Sequence, residues 1–210
     1  GKQAYTEYRG SKVIRENVAE KLSIFTGTSI NADRNFIITP GTQGALFLAM
    51  GSTISRGDKV AIVVPDYFAN RKLVEFFDGE IYPIQMDYFN SDTCAGLDLT
   101  QLEDAFKAGV KLFLFSNPNN PTGTFVEDAP LRNFVEECSK KCMVLVDEAY
   151  TEFMELPSLK DIAIKNPNVV VAKTFSKIYE LAGARIGYAI AHPDTIKKLS
   201  NLQAWPDASI

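Results

Sequence analysis

A lysine and an arginine lie eight residues apart in residues 173–187, which read K-T-F-S-K-I-Y-E-L-A-G-A-R-I-G. A lysine amine can form a Schiff base with a carbonyl cofactor that acts as an electron sink, so Lys177 is the candidate nucleophile. Thr174, Ser176 and Arg185 offer hydroxyl and guanidinium donors for a phosphate. The spacing indicates a site for an aldehyde that carries a phosphate. Taken alone, the segment could also be a surface turn with ordinary charges.

A proline-rich loop, S-N-P-N-N-P-T-G, occupies residues 116–123 and follows the apolar run 112–115. This order predicts a loop at the C-terminal end of a buried strand, which is where open α/β sheets bind ligands. Pro118 and Pro121 restrict the backbone and the residue before each of them. We therefore expect an extended, preorganised loop in which Asn120 donates to a cofactor oxygen. A simple polar turn is the alternative.

The segment V-L-V-D-E-A-Y at residues 144–150 brings a carboxylate to the end of an apolar strand. Such a carboxylate, Asp147, can keep a pyridine nitrogen protonated. Tyr150, three residues later, could bond the ring's phenolic oxygen. Asp147 could instead cap a helix or bind magnesium. The chain lacks the G-x-x-x-x-G-K-[ST] loop that accompanies magnesium in phosphate-hydrolysing proteins.

Residues 37–45, I-I-T-P-G-T-Q-G-A, predict a short strand, a glycine turn and the start of a helix. The free N–H groups and positive dipole of a helix N-terminus bind anions. Gly41, Thr42 and Gln43 are the candidate donors. A glycine in a strand–helix loop is common, so this segment carries weight only together with the others.

Short apolar strands that alternate with helical patterns place these residues. The predicted strands lie near residues 36–39, 59–64, 80–85, 111–115, 143–146, 169–173 and 186–191, and the predicted helices include 44–54, 67–77, 99–107 and 128–140. This alternation predicts an α/β fold of three layers, αβα, with a mainly parallel sheet of about seven strands. The connection from residue 173 to residue 186 is too short for a comfortable crossover, which favours an antiparallel last strand.

The motifs N-P-N-N-P-T-G, D-E-A-Y and T-F-S-K with L-A-G-A-R-I-G-Y, in this order, resemble those of the class I/II pyridoxal-phosphate aminotransferases, the aspartate aminotransferase superfamily of fold type I. The resemblance spans nearly the whole chain. Within the superfamily, the pattern is most similar to the histidinol-phosphate aminotransferase branch. The resemblance implies pyridoxal 5′-phosphate as the cofactor and the fold type I large domain as the fold.

The resemblance also implies a role for each candidate residue. Lys177 would hold the cofactor through a Schiff base and move a proton between the substrate's α-carbon and the cofactor's C4′ atom. Asp147 would pair with the pyridinium nitrogen, and Asn120 and Tyr150 would bond the O3′ oxygen. The phosphate cup would consist of Gly41, Thr42, Gln43, Thr174, Ser176 and Arg185.

Two aromatic positions follow from the same resemblance. Tyr67 matches the aromatic residue that stacks on the cofactor ring, whereas its neighbour Phe68 is expected in the core. Tyr5 matches the tyrosine that reaches the phosphate of the neighbouring subunit, with Tyr8 as a rival for that position. The resemblance therefore implies a homodimer whose sites are completed across the interface.

The implied reaction moves an amino group between an amino acid, or an amino-acid-like phosphate such as histidinol phosphate, and a 2-oxo acid. A decarboxylase of the same fold, of the threonine-phosphate type, is one alternative. An aminotransferase-like sensor domain of a transcriptional regulator is another, and a winged-helix segment upstream would support it.

A second, smaller domain built from both chain ends is typical of the superfamily, and its C-terminal part carries the arginine that binds the substrate's α-carboxylate. No arginine follows Arg185 in this sequence. We therefore expect residues 1–210 to be the large, PLP-binding domain, with the small C-terminal domain missing from this chain.

The composition, 46% hydrophobic and 23% charged with a formal net charge of −4, predicts a globular protein. Lysine and arginine are scattered, which argues against a nucleic-acid partner. No apolar run reaches the roughly 18 to 20 residues that span a bilayer. Three cysteines and one histidine form no metal pattern. Reduced cysteines favour a cytoplasmic location, although a signal peptide could have been removed.

Overall fold

Seven strands form one mixed sheet in the computed structural model, which describes residues 7, 9–90, 95–154 and 156–203. The strands lie in the order β1-β7-β6-β5-β4-β2-β3. Their bounds are β1 Phe36–Pro40, β2 Lys59–Val64, β3 Glu80–Gln85, β4 Leu112–Ser116, β5 Met143–Asp147, β6 Val169–Thr174 and β7 Ile186–Ile190. Each predicted strand is present within one or two residues of its predicted bounds.

Helices connect most of the strands. The α-helices are α1 Lys12–Thr26, α2 Gly41–Gly51, α3 Phe68–Phe76, α4 Leu99–Lys107, α5 Asp128–Ser139, α6 Lys160–Ala163 and α7 Pro193–Leu202. Short 3-10 turns occupy Thr151–Met154 and Ala182–Ala184. Helix α2 begins at Gly41, three residues earlier than predicted, directly after strand β1. Its first turn therefore lies at the C-terminal end of strand β1.

Two hydrophobic cores lie on opposite faces of the sheet. Phe113 and Phe115 of strand β4 pack in one core with side chains of α4 and α5, whereas Leu112 and Leu114 pack in the other with α2 and α3. Alternate residues of a strand point to opposite faces, so a strand that is apolar throughout must be covered on both sides. The predicted three-layer αβα architecture is confirmed.

Strand β7 runs antiparallel to both of its neighbours, β1 and β6, whereas the other strand pairs are parallel. The expectation of an antiparallel last strand is confirmed. Gly187, near the start of β7, stands opposite Thr39 of β1 and Thr174 of β6. The first residues of β7 therefore lie between the C-terminal ends of these two strands.

The prediction that Phe68 lies in the core is wrong. Phe68 is 72% exposed. It is the first residue of α3, and its ring lies 4.7 Å from that of Tyr67, centroid to centroid. An apolar residue type alone does not show whether a side chain at the start of a helix faces the core or the solvent.

Among the described residues, no helix has both the length and the apolar character needed to cross a membrane.

Candidate functional site

A cavity of about 180 Å³ opens at the C-terminal ends of strands β4, β5 and β6. It is lined by Thr42, Gln43, Tyr67, Ser116, Asn120, Asp147, Ala149, Tyr150, Thr174, Ser176, Lys177 and Arg185. All of these except Ser116 and Ala149 were predicted as site residues. Gly41 lies just behind this lining, against Arg185. Tyr5 and its rival Tyr8 fall outside the described residues.

Two lysines near the cavity have different surroundings. Lys177 is exposed and lines the cavity, with its Nζ atom 5.1 Å from the centroid of the Tyr150 ring. Lys173 is buried, and its Nζ atom lies 3.2 Å from Glu148 and 2.8 Å from Glu152. Lys177 is thus the amine that a ligand in the cavity can reach, whereas two carboxylates already hold Lys173.

Asp147 is the last residue of strand β5 and is only 7% exposed. Burial raises the pKa of Asp147 to about 7, and the nearby charge of Asp66 adds to this increase. The Ala149 N–H, which donates to Asp147 Oδ1 at 3.0 Å, opposes it only in part. A cationic group placed beside Asp147 would stabilise the carboxylate form.

Ser116 and Asp66 are neighbours of Asp147 that the sequence analysis missed. Ser116 stands opposite Asp147 in the pairing of β4 with β5. Its hydroxyl donates to Asp66 Oδ1 at 2.6 Å, and its N–H donates to Oδ2 at 3.1 Å. Burial raises the pKa of Asp66 to about 6 against the opposing effect of these bonds. The available signal was that Asp66 comes two residues after the apolar strand β2, much as Asp147 ends the apolar strand β5.

The asparagines of the loop after β4 divide between structural and site positions. Asn117 Oδ1 accepts the Val126 N–H at 2.8 Å, and Asn119 Nδ2 donates to the Pro65 carbonyl at 3.0 Å. Asn120 instead lines the cavity and donates from Nδ2 to the Tyr150 hydroxyl at 3.4 Å. The first two asparagines fix the loop, so that Asn120 and Tyr150 face the cavity together.

The first turn of helix α2 forms one end of the cavity. No side chain caps this helix, and its first turn contains no acidic residue. Thr42 Oγ1 is buried without a hydrogen-bond partner among the described residues. An unpaired buried hydroxyl is costly, and the N–H groups of a helix start are donors without partners. This end of the cavity therefore suits an anion with several acceptor oxygens.

Arg185 lies at the same end. Its Nη1 donates to the Ala182 carbonyl at 3.2 Å and to Ser176 Oγ at 3.5 Å. Within the described part of the chain, no carboxylate lies within 4.0 Å of this guanidinium. Its charge is therefore available to an anion. Thr174 Oγ1 accepts the Ser176 N–H at 3.0 Å and shapes the turn that holds both hydroxyls at the cavity.

Two glycines allow the backbones to meet at this end. A Cβ atom on Gly187 would lie 2.3 Å from the carbonyl carbon of Gly41. A Cβ atom on Gly41, whose φ is +69°, would lie 2.9 Å from Arg185 Nη2. Only glycine fits such close approaches. Strand β7 can therefore pack directly against the start of helix α2, which places Arg185 beside that helix terminus.

The chain matches the family model described as aminotransferase class I and II over residues 2–205. The chain belongs to this family. Members of the family use pyridoxal phosphate. The residues present fit that group, because one cavity combines a reachable lysine, a buried acid and an anion-binding end with an unpaired hydroxyl.

Similar proteins include a histidinol-phosphate aminotransferase of Symbiobacterium thermophilum, 34% identical over 78% of this chain and 44% of that protein. An aspartate aminotransferase of Sulfolobus acidocaldarius is 31% identical over 97% of this chain and 52% of that protein. The chain thus spans about half the length of these relatives. Among solved structures, an aspartate aminotransferase from Rhodobacter sphaeroides is 45% identical with a TM-score of 0.83, over 96% of this chain and 53% of that one.

Among the described residues, no three His, Cys, Asp or Glu side chains are grouped so that they could hold a metal ion. The alternative role of Asp147 as a magnesium ligand therefore gains no support from its neighbours. Cys138 and Cys142 are buried free thiols, and burial raises the pKa of each to about 12. Such thiols are unreactive and serve as core side chains.

Proposed function

We propose that this chain carries the pyridoxal-phosphate site of an aminotransferase that moves an amino group between an amino acid and a 2-oxo acid. The observation that carries the proposal is the single cavity in which Lys177 is reachable, Asp147 is buried and Arg185 has no carboxylate partner among the described residues. When bound, the cofactor supplies an electron sink for the substrate's α-carbon.

Lys177 acts as the covalent anchor and as the acid and base. Its amine would hold the aldehyde carbon of the bound cofactor and would be freed by a substrate amine. The freed amine would then be placed to take a proton from the substrate's α-carbon and to deliver a proton to the cofactor's C4′ atom. Its exposed position beside the Tyr150 ring leaves the side chain room for both tasks.

Asp147, Asn120 and Tyr150 orient the ring and set its charge. Asp147 would hold a proton on the ring nitrogen, and that cation would in turn offset the cost of burying the Asp147 carboxylate. Asn120 and Tyr150 lie within hydrogen-bond reach of each other and would donate to the phenolic oxygen. Tyr67, half-buried at the cavity wall, would pack on the ring.

The opposite end of the cavity holds the phosphate. The N–H groups of Gly41, Thr42 and Gln43 and the Thr42 hydroxyl, which has no partner among the described residues, would donate to phosphate oxygens. Thr174 and Ser176 shape the facing turn, and Arg185 supplies the positive charge. A dianion needs such a guanidinium and such donors, which have no carboxylate partner among the described residues.

The comparisons favour amino transfer over the two alternatives, because the similar proteins cited above are all named aminotransferases. Their names divide between histidinol phosphate and aspartate, so placement in the histidinol-phosphate branch stays a prediction. We further propose that residues 1–210 act as the cofactor-binding domain within a homodimer in which Tyr5 reaches the neighbouring site. The free thiols of Cys138 and Cys142 support a cytoplasmic location.

The test is chemical trapping. Pyridoxal phosphate is added to the protein, the visible absorption is recorded, borohydride is applied, and the modified peptide is located by mass spectrometry. We expect the label on Lys177 and none in Lys177→Ala. A label on Lys173, or a label that persists in Lys177→Ala, would contradict the assigned anchor. Absence of any visible absorption change and label in the unaltered protein would contradict the proposed function.

A further inference from the structure

Asp66 is an acidic side chain behind the cavity wall to which the proposed mechanism assigns no task. Its Oδ1 atom accepts hydrogen bonds from the Ser116 hydroxyl and from the Tyr67 N–H, each at 2.6 Å. Its Oδ2 atom accepts the Ser116 N–H at 3.1 Å. Ser116 and Tyr67 both line the cavity. Donors on both oxygens favour the ionised form of the carboxyl group.

Asp66 and Asp147 lie on either side of Ser116. Strand β4 lies between β2 and β5 in the sheet, Ser116 pairs with Asp147, and Asp66 follows the end of β2. Of the charged groups that influence Asp147, Asp66 has the largest effect. Glu148 acts in the same direction more weakly, and Lys173 opposes both. The described residues place no lysine or arginine within 4.0 Å of either aspartate.

The buried carboxylate of Asp147 and the half-buried carboxylate of Asp66 form a pair that is unbalanced in charge. Two neighbouring acids resist being ionised together unless a cation joins them. A neutral ring beside Asp147 would leave this repulsion in place, whereas a protonated ring nitrogen would relieve it. The electrostatic stabilisation that the cation provides is larger beside two carboxylates than beside one.

We propose that Asp66 is a positioning residue which, through Ser116 and through its charge, makes the Asp147 end of the cavity selective for a cationic ring nitrogen over a neutral ring. This inference rests on the proposed function, since it assumes that Asp147 faces the ring nitrogen. Asp66 acts through other groups and does not itself line the cavity.

The experiment compares two ligands that do not form a covalent bond with Lys177. One is pyridoxamine phosphate, and the other is its carbocyclic analogue with C–H in place of the ring nitrogen. Calorimetry at pH 7.5 gives the ratio of their dissociation constants. We expect Asp66→Asn to reduce this preference for the nitrogen ligand by about tenfold, which corresponds to roughly one pKa unit of charge interaction.

Two further variants make the result specific. Ser116→Ala should reduce the preference in the same direction but less, because loss of the hydroxyl donor makes Asp66 easier to protonate. Asp104→Asn, which changes an exposed aspartate paired with Lys107, should leave the preference as it is. If Asp66→Asn does not fold, Ser116→Ala carries the test. The inference is overturned if the preference is unchanged in whichever of Asp66→Asn and Ser116→Ala folds.

Carboxyl-carbon NMR of the ligand-free protein provides a second readout. The pKa of Asp147 should be lower in Asp66→Asn than in the unaltered protein, and an unchanged pKa overturns the inference. The two hypotheses fail differently. If the unaltered protein binds neither ligand, the proposed function fails and this inference fails with it. If it binds both and the preference does not respond to Asp66, only this inference fails.

Discussion

Lys173 and Glu148 form a buried ion pair, 3.2 Å from Nζ to Oε2, that joins the C-terminal ends of strands β6 and β5. Their side chains are 3% and 2% exposed. Glu152 adds a second carboxylate at 2.8 Å from the same Nζ atom. Asp147 directly precedes Glu148, and Lys177 follows four residues after Lys173. The pair therefore holds together the two strand ends that carry the proposed acid and the proposed anchor.

Removal of the Lys173 charge should destabilise the fold. Lys173→Met removes the cation that pairs with Glu148 and Glu152, which costs on the order of 3 to 5 kcal/mol of unfolding free energy. Urea unfolding followed by circular dichroism measures this loss. Lys140→Met is the control, because Lys140 pairs with Glu137 on the surface and should change stability by less than about 1 kcal/mol. Equal losses in the two variants would contradict a structural role for the buried pair.

Arg185→Gln should weaken recognition of phosphate specifically. We expect the affinity for pyridoxal phosphate to fall by about 1.5 to 3 kcal/mol, the range for a charged hydrogen bond, while the affinity for pyridoxal without phosphate hardly changes. Absorbance titration with both compounds gives the comparison. Arg56→Gln, at an exposed arginine paired with Asp78, should affect neither affinity. A parallel loss for both compounds would show that Arg185 supports the fold and not the phosphate.

Gly187→Ala should separate strand β7 from the start of helix α2. The added Cβ atom would lie 2.3 Å from a backbone carbon of Gly41, which cannot rotate away as a side chain could. We expect a loss of roughly 1 to 3 kcal/mol in unfolding free energy together with weaker binding of pyridoxal phosphate. Gly183→Ala, where nothing lies within 4 Å of the added atom, is the matched control. A Gly187→Ala protein as stable as this control would refute the close approach.

The stability of the ligand-free protein should decrease as pH rises from about 5 to about 7.5. Burial and Asp66 raise the pKa of Asp147 to about 7, so the folded protein binds this proton more tightly than the unfolded chain. The stabilising effect of the bound proton is present at low pH and is lost as pH passes through the folded pKa. Asp147→Asn should abolish roughly 2 kcal/mol of this decrease, leaving a smaller part that is due to Asp66, whose pKa is about 6. Urea unfolding at several pH values measures the slope, and the same slope in both proteins would be the contrary result.

The strand positions were predictable because each strand is a short apolar run bounded by polar residues. The strand order was not, and this explains why Ser116 and Asp66 were missed. Strand β3 follows β2 in sequence but lies at the edge of the sheet, while β4 crosses back to pair with β2. Only this crossover brings Asp66 beside Ser116. A sequence shows that an acidic residue follows a strand. It does not show which other strand lies beside that strand in the sheet.

Charged residues inside apolar strands posed a second difficulty. Lys173 follows the run V-V-V-A in strand β6, and its burial depends on Glu148 and Glu152, which come from a different part of the chain. Lys177 was chosen from its place beside Ser176 and eight residues before Arg185, and the motif resemblance implies the same residue. The structure adds a physical reason for this choice, since one amine is reachable and the other is not.

Strand β7 pairs with β1, with Ile190 opposite Phe36, and separates β1 from the rest of the sheet. During synthesis, the ribosome therefore releases strand β1 and the start of helix α2 long before their partner exists. Until residues 186–190 emerge, the edge of β1 is unpaired, and Arg185 and Gly187 cannot meet Gly41. Such late pairing of distant segments is slow and exposes strand edges to aggregation. The anion-binding end of the cavity is thus assembled late, and a nascent chain acquires it only after nearly all of the described sequence has been made.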